Sequence, residues 1–102
     1  MKIVRVTYTT TAEFSEQNQA NIKNVMNDLG NANCTGINYQ ACLAEDNKTF
    51  THLAFFSTEE DRQLLFDLPS FKAFQEQLKA SNPEIPPRQE MLTLVGSSKN
   101  IF

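Results

Sequence analysis

The sequence predicts an α+β fold of ferredoxin-like type: four antiparallel strands with both helices on one sheet face, in the order βαββαβ. Three observations predict it. Residues 2–9 (KIVRVTYT) alternate in polarity and are rich in β-branched side chains, as a half-covered strand requires. Residues 48–79 run from an apolar strand (50–57) straight into a capped helix, then through a break at Leu68-Pro69-Ser70 into a second amphipathic helical piece. Between these stretches lie one more helical and one more alternating segment, and a last strand follows. That order is the split βαβ pattern.

In the first strand Val4, Val6 and Tyr8 face one way, and Ile3, Arg5 and Thr7 the other. Thr10 and Glu13 have capping-box spacing for the first helix. Ile22, Val25, Met26 and Leu29 recur on one helical face, the other face is Gln- and Asn-rich and solvated, and Gly30 is expected to end the helix as a left-handed cap. Over 34–43, Ile37, Tyr39, Ala41 and Leu43 oppose Gly36, Asn38, Gln40 and Cys42. Glu45-Asp46-Asn47-Lys48 is turn chemistry, so this strand pairs with the next as a hairpin.

In the third strand Leu53 and Phe55 are expected to face the helices, and Phe50, His52, Ala54 and Phe56 the open side. Thr58 caps the next helix, with Glu59, Glu60 and Asp61 in its first turn. Leu64, Leu65 and Leu68, then Phe71, Phe74 and Leu78, form its buried stripe. Residues 82–87 read as a stiff extended connection. Residues 88–96 read as the last strand, with Leu92 and Leu94 toward the helices and Met91, Thr93 and Val95 away. The single domain covers 1–96, and 97–102 is a tail expected to fray.

Right-handed crossovers between two parallel central strands would bring both helices to the face of Val4, Val6, Leu53, Phe55, Leu92 and Leu94. The opposite face would then be too apolar for water as one patch and too polar for a dry core. A second copy packed face to face would close it, so a homodimer is the expected assembly.

Composition narrows the function. Nine Lys and Arg against twelve Asp and Glu give a net charge of −3, which argues against a nucleic-acid partner. No stretch reaches membrane-spanning length, and the first strand begins too early for a signal peptide to precede it, so no membrane partner and a cytoplasmic setting are expected. Cys34 and Cys42 in one strand would be roughly 26 Å apart, beyond disulfide reach. One His, two distant Cys and no paired carboxylates leave no expected metal site. The three glycines form no phosphate cradle.

The segments IVRVTYTTTAEF, GINYQACLAEDNKTFTHLAFFSTEED and LPSFKAF resemble the antibiotic-biosynthesis-monooxygenase-like family of dimeric α/β barrels, over residues 3–80. The resemblance implies cofactor-free oxygenation of polycyclic phenols, or haem degradation as in some members, by Trp, His and Asn residues around a cavity. Phe56 stands where that family commonly has Trp, and Ser70 stands before Phe71 where it commonly has His, the iron ligand of haem-degrading members. No cofactor is expected here.

Seven residues of the open face are the site candidates. His52, the only histidine, could act as a general base or hold a carbonyl; otherwise it is a strand histidine bonded near the dimer seam. Arg5 could bind an anionic group of a ligand, or form an ion pair with the partner subunit or with an edge acidic residue such as Glu90. Thr7, Asn38 and Gln40 could polarise a ligand carbonyl or satisfy one another, and Phe56 and Met91 would shape the apolar wall. Tyr8 and Tyr39 read as packing residues with hydroxyls at the rim.

Two principal readings follow. One is a homodimer with a cavity per subunit between sheet and helices, oxidising an acidic phenol or enol without a cofactor. There His52 assists deprotonation and Arg5 stabilises the anion. The other is a non-catalytic dimeric protein that binds a small ligand or serves a stress role. A more distant reading is an RNA-recognition module, with Phe50 and His52 stacking bases on the open face.

Overall fold

A computed structural model describes residues 1–102. It contains β1 (Lys2–Thr9), α1 (Ser15–Asn31), β2 (Ile37–Leu43), β3 (Thr49–Phe56), α2 (Glu59–Asp67), α3 (Pro69–Ala80) and β4 (Ile85–Leu92). The sheet order is β2-β3-β1-β4, and every neighbouring pair is antiparallel. The ferredoxin-like class therefore stands, but the central pair is not parallel. Each crossover skips a strand, from β1 over β3 to β2 and from β3 over β1 to β4, so the strands it joins do not touch.

The register reverses two face assignments. Opposite residues in a sheet share a face, and Val4 pairs with Ala54, Val6 with His52 and Tyr8 with Phe50. Phe50, His52, Ala54 and Phe56 consequently lie under the helices, and Leu53 and Phe55 lie on the open side with Arg5 and Ile3. β4 reverses in the same way: Leu92 pairs with Ile3 and Glu90 with Arg5, while Met91 pairs with Val4. The core accordingly joins Val4, Tyr8, Phe50, Ala54 and Phe56 of the sheet to Ile22, Val25, Leu65, Phe71, Phe74 and Leu78 of the helices. A slip of one position moves a whole strand's side chains to the other face, so a parity error propagates along it.

Local chemistry explains most boundaries. The Thr10–Glu13 capping box does not form: Phe14 occupies the N-cap of α1 without a side-chain cap, and Thr11 Oγ1 accepts the Phe14 N–H. Thr10 Oγ1 instead donates to the Lys48 carbonyl at 3.4 Å. Gly30 lies inside α1, and the left-handed residue after the helix is Asn33, at φ 52°. β2 begins at Ile37, so Cys34 lies outside it, and both cysteines are free. The expected cap of α2 is present: Asp61 N–H donates to Thr58 Oγ1 at 3.2 Å, and Thr58 N–H donates to Asp61 Oδ2 at 3.1 Å. A Cβ on Gly36 would meet the Asp61 carboxylate, so a side chain there would have to displace the cap. Pro69 opens α3 at N1, where its missing N–H costs nothing.

β4 starts at Ile85 rather than residue 88 and stops at Leu92, so Pro86 and Pro87 belong to it. They are tolerated because β4 is an edge strand and because the ladder shifts beside them. β1 advances from Thr7 to Thr9 while β4 retreats from Arg88 to Ile85, the extra residue of a bulge.

The open face is less apolar than expected. Its apolar residues form mainly one row: Leu92, Ile3 and Phe55, ending in Asn38 on β2. The chain leaves β4 at Leu92 and returns to the far end of that row, where Asn38 Nδ2 donates to the Ile101 carbonyl at 2.8 Å. The end of the tail is thus held against β2, and Ile3 and Phe55 of that row are only 5% and 7% exposed. Removing residues 97–102, and with them the Asn38–Ile101 hydrogen bond, is expected to lower the unfolding free energy by about 1 kcal/mol in urea titration.

Candidate functional site

The helix-facing side of the sheet carries a cavity of about 390 Å³, within the range of small-molecule sites. Its walls are Val6 and Tyr8 of β1, Tyr39 of β2, His52 of β3, and Phe71, Phe74 and Leu78 of α3. Pro83, Pro86 and Pro87 close one end, and the exposed Gln75 and Lys79 stand at the rim. The β4 bulge places the two strand prolines there.

Four polar side chains meet in this apolar setting. Asn18 Nδ2 donates to the Tyr8 hydroxyl at 2.8 Å, that hydroxyl lies 2.7 Å from His52 Nε2, and the Tyr39 hydroxyl lies 2.6 Å from His52 Nδ1. Asn18 and burial together set the direction of the line. Tyr8 oxygen accepts from the amide, and Tyr8 is only 1% exposed; its own proton would be buried without an acceptor unless it is donated to Nε2, so Tyr8 is the donor of that pair. A neutral imidazole then carries its proton on Nδ1 and donates it to Tyr39 oxygen. The Tyr39 proton has no acceptor in the protein and is available to a ligand. With Nδ2 toward Tyr8, Asn18 Oδ1 is left as the buried atom without a partner.

Burial lowers the His52 pKa to about 4, so the ring is neutral at physiological pH. Protonating Nε2 would also leave the Tyr8 proton without an acceptor, which acts in the same direction. Burial holds the Tyr8 and Tyr39 hydroxyls well above the ordinary tyrosine range, Tyr39 also through its proximity to Tyr8. Both are donors, not phenolates. The rings stack closely, with Tyr8 5.4 Å from Phe50 and His52 5.3 Å from Phe74 between centroids.

A second chamber of about 110 Å³ lies along the sheet toward Val4, Ala54 and Phe56, and shares Val6, Tyr39, His52, Phe71 and Gln75 with the first. Its remaining walls come from Arg62, Leu65, Phe66 and Gln89.

The structure brings two of the seven candidates to this site. His52 is central, though under the helices, and Phe56 lines the smaller chamber. Arg5, Thr7, Asn38 and Gln40 lie on the opposite face. Arg5 donates to Glu90 at 2.8 Å, Asn38 binds the tail, and Gln40 donates to Asn38 Oδ1 at 3.2 Å. Met91 has helix-side parity but is 54% exposed on the edge strand and lines neither chamber. With Phe50 and His52 covered by helices, the base-stacking platform of an RNA-recognition module does not exist. Sequence reasoning missed Asn18, assigned to a solvated face, and Arg62. The signal for the tyrosines was present: Tyr8 and Tyr39 share the helix-facing parity. No group of three His, Cys, Asp or Glu side chains is placed to hold a metal ion, and no helix is long and apolar enough to cross a membrane.

Known structures share this fold. A crystal structure of an antibiotic biosynthesis monooxygenase superposes with a TM-score of 0.77 at 8% identity, covering 94% of this chain and 100% of the other. A candidate antibiotic biosynthesis monooxygenase from Bacteroides thetaiotaomicron VPI-5482 gives 0.80 at 14% identity, over 97% and 93%. A mutant of SnoaB, a cofactor-independent oxygenase from Streptomyces nogalater, gives 0.68 at 11% identity, over 97% and 98%. The chain therefore has the antibiotic-biosynthesis-monooxygenase fold over nearly its full length, a fold that includes cofactor-independent oxygenases. No family model and no curated protein matches the sequence.

Proposed function

We propose that this chain binds a small, largely apolar or aromatic molecule bearing a hydroxyl or carbonyl oxygen, with Tyr39 donating to that oxygen. The observation that carries the reading is a directed hydrogen-bond line whose last proton has no protein acceptor and whose end lies in an apolar cavity. If the bound oxygen is that of an acidic phenol or enol, Tyr39 stabilises its anion in a low-dielectric site, and dioxygen can oxidise the anion without a cofactor. In this reading His52 positions Tyr39 and is not the base; Arg5 stands outside the cavity. Tyr39→Phe is expected to weaken binding of phenol or naphthol about tenfold by calorimetry, the worth of one good hydrogen bond. Unchanged affinity would remove Tyr39 from the site.

A specific observation favours binding without turnover as the second reading. Both ring nitrogens of His52 are engaged and the ring is a weak base, so no strong general base lines the chamber. Aerobic incubation with acidic phenols separates the two: product formation supports the oxygenase, binding alone the carrier.

A second copy of the chain is the partner in both readings. The unpaired outer edge of β4 and exposed Met91, Leu94 and Val95 support it. Sedimentation at micromolar concentration tests it. A monomer would remove the dimer and leave the cavity, which one chain lines by itself.

A further inference from the structure

We infer that the smaller chamber takes an anionic group of the ligand, a carboxylate above all, and that Arg62 holds it. The inference rests on the cavity reading above and adds a substrate class: aromatic hydroxy acids rather than neutral phenols.

Arg62 enters the chamber from the first turns of α2, among Val4, Ala54, Phe56, Leu65, Phe66 and Phe71. Its Nε–H is buried and has no partner. A guanidinium presents five donors in a planar fork, yet its only protein acceptor is Glu59, reached by Nη1 at a long 3.4 Å. Glu59 is itself 64% exposed and shared with Lys2. Phe66 fixes the plane of the fork, its ring centroid lying 5.0 Å from the guanidinium carbon. The side chain, 26% exposed, stands at the wall of an apolar recess with most of its donors unclaimed by the protein, a setting in which a carboxylate is bound by charge-assisted hydrogen bonds. The remaining polar residues of the recess are Tyr39, His52, Gln75 and Gln89, none of them anionic.

Size and continuity set the ligand. About 110 Å³ falls short of the roughly 150 Å³ of an apolar cavity that takes benzene, so the small chamber suits a carboxylate rather than a ring. The larger cavity takes the ring. Because both chambers border His52 and Tyr39, one molecule can reach Arg62 with its carboxylate and Tyr39 with its phenolic oxygen.

The test is calorimetric titration of the purified protein with meta- and para-hydroxybenzoate against the corresponding amides, and with phenol as reference. At least one acid is expected to bind about tenfold to a hundredfold tighter than its amide, the worth of hydrogen bonds to a charged group. Arg62→Gln is expected to abolish that preference and leave phenol affinity unchanged. Arg62→Lys, which keeps the charge without the fork, is expected to restore part of it. Acids and amides binding the wild type equally, or Arg62→Gln retaining the preference, would overturn the inference while phenol binding keeps the cavity reading. Should phenol, acids and amides all fail to bind, the cavity reading falls and takes this inference with it. If Arg62→Gln does not fold, the wild-type ratio decides alone.

Discussion

Between pH 6.5 and pH 4 the protein is expected to lose about 3 kcal/mol of unfolding free energy through His52 alone. The folded ring has a pKa lowered to about 4 against 6.5 for the free side chain. Through that window the unfolded chain takes up a proton that the folded chain refuses. The contribution is complete above pH 6.5, declines as the pH falls, and is exhausted once both states are protonated. Because the chain has one histidine, no second imidazole confuses the result. Urea titrations from pH 7.5 to pH 4 measure the slope, and His52→Gln removes the histidine contribution to it. A wild-type slope no steeper than that of the variant would mean that the ring protonates in place.

Phe74→Ala is expected to be the most damaging single truncation near the site, at about 3–5 kcal/mol. Phe74 is 6% exposed and its ring meets Tyr8, His52 and Phe71 at centroid distances of 6.5, 5.3 and 5.8 Å. Truncation removes a wall shared by the core and the cavity, so the cost combines lost burial with the void left behind. The same variant has a second expected phenotype. The enlarged chamber should accept a naphthol more readily relative to phenol, reversing any size preference of the wild type. Thermal denaturation and competitive titration read the two effects separately.

The fold was legible because it depends on periodicity and element order, which local sequence encodes well. The Thr58–Asp61 cap, the Pro69 break and the turn at Asp46 each have a local mechanism, and each is in place. The faces were less legible. Phe50 to Phe56 is apolar at both parities, so alternation cannot say which set is covered. The register against β1 decides it, and register is a long-range property. Counting bulk would have pointed the right way, since Phe50, Ala54 and Phe56 fill more of a helix-covered core than Leu53 and Phe55. His52 was found as the chemical residue but placed on the wrong side, and Arg5 followed the face rather than the site. Asn18 was hidden because its helix offers several amides, and only the fold shows which one meets Tyr8.

The misplaced faces also change the case for assembly. With Phe50, Ala54 and Phe56 in the core and Ile3 and Phe55 already 5% and 7% exposed in the single chain, the open side needs less cover than the sequence suggested. The cavity does not depend on that outcome. Its polar line is contained within one chain, running from α1 through β1 and β3 to β2.

Nitrogen-15 NMR of the single imidazole tests that line most directly. One neutral tautomer is expected, protonated at Nδ1 with Nε2 bare, unchanged from pH 8 to about pH 5 and titrating only near pH 4. A proton on Nε2, or a titration midpoint near the free-histidine value of about 6.5, would contradict it.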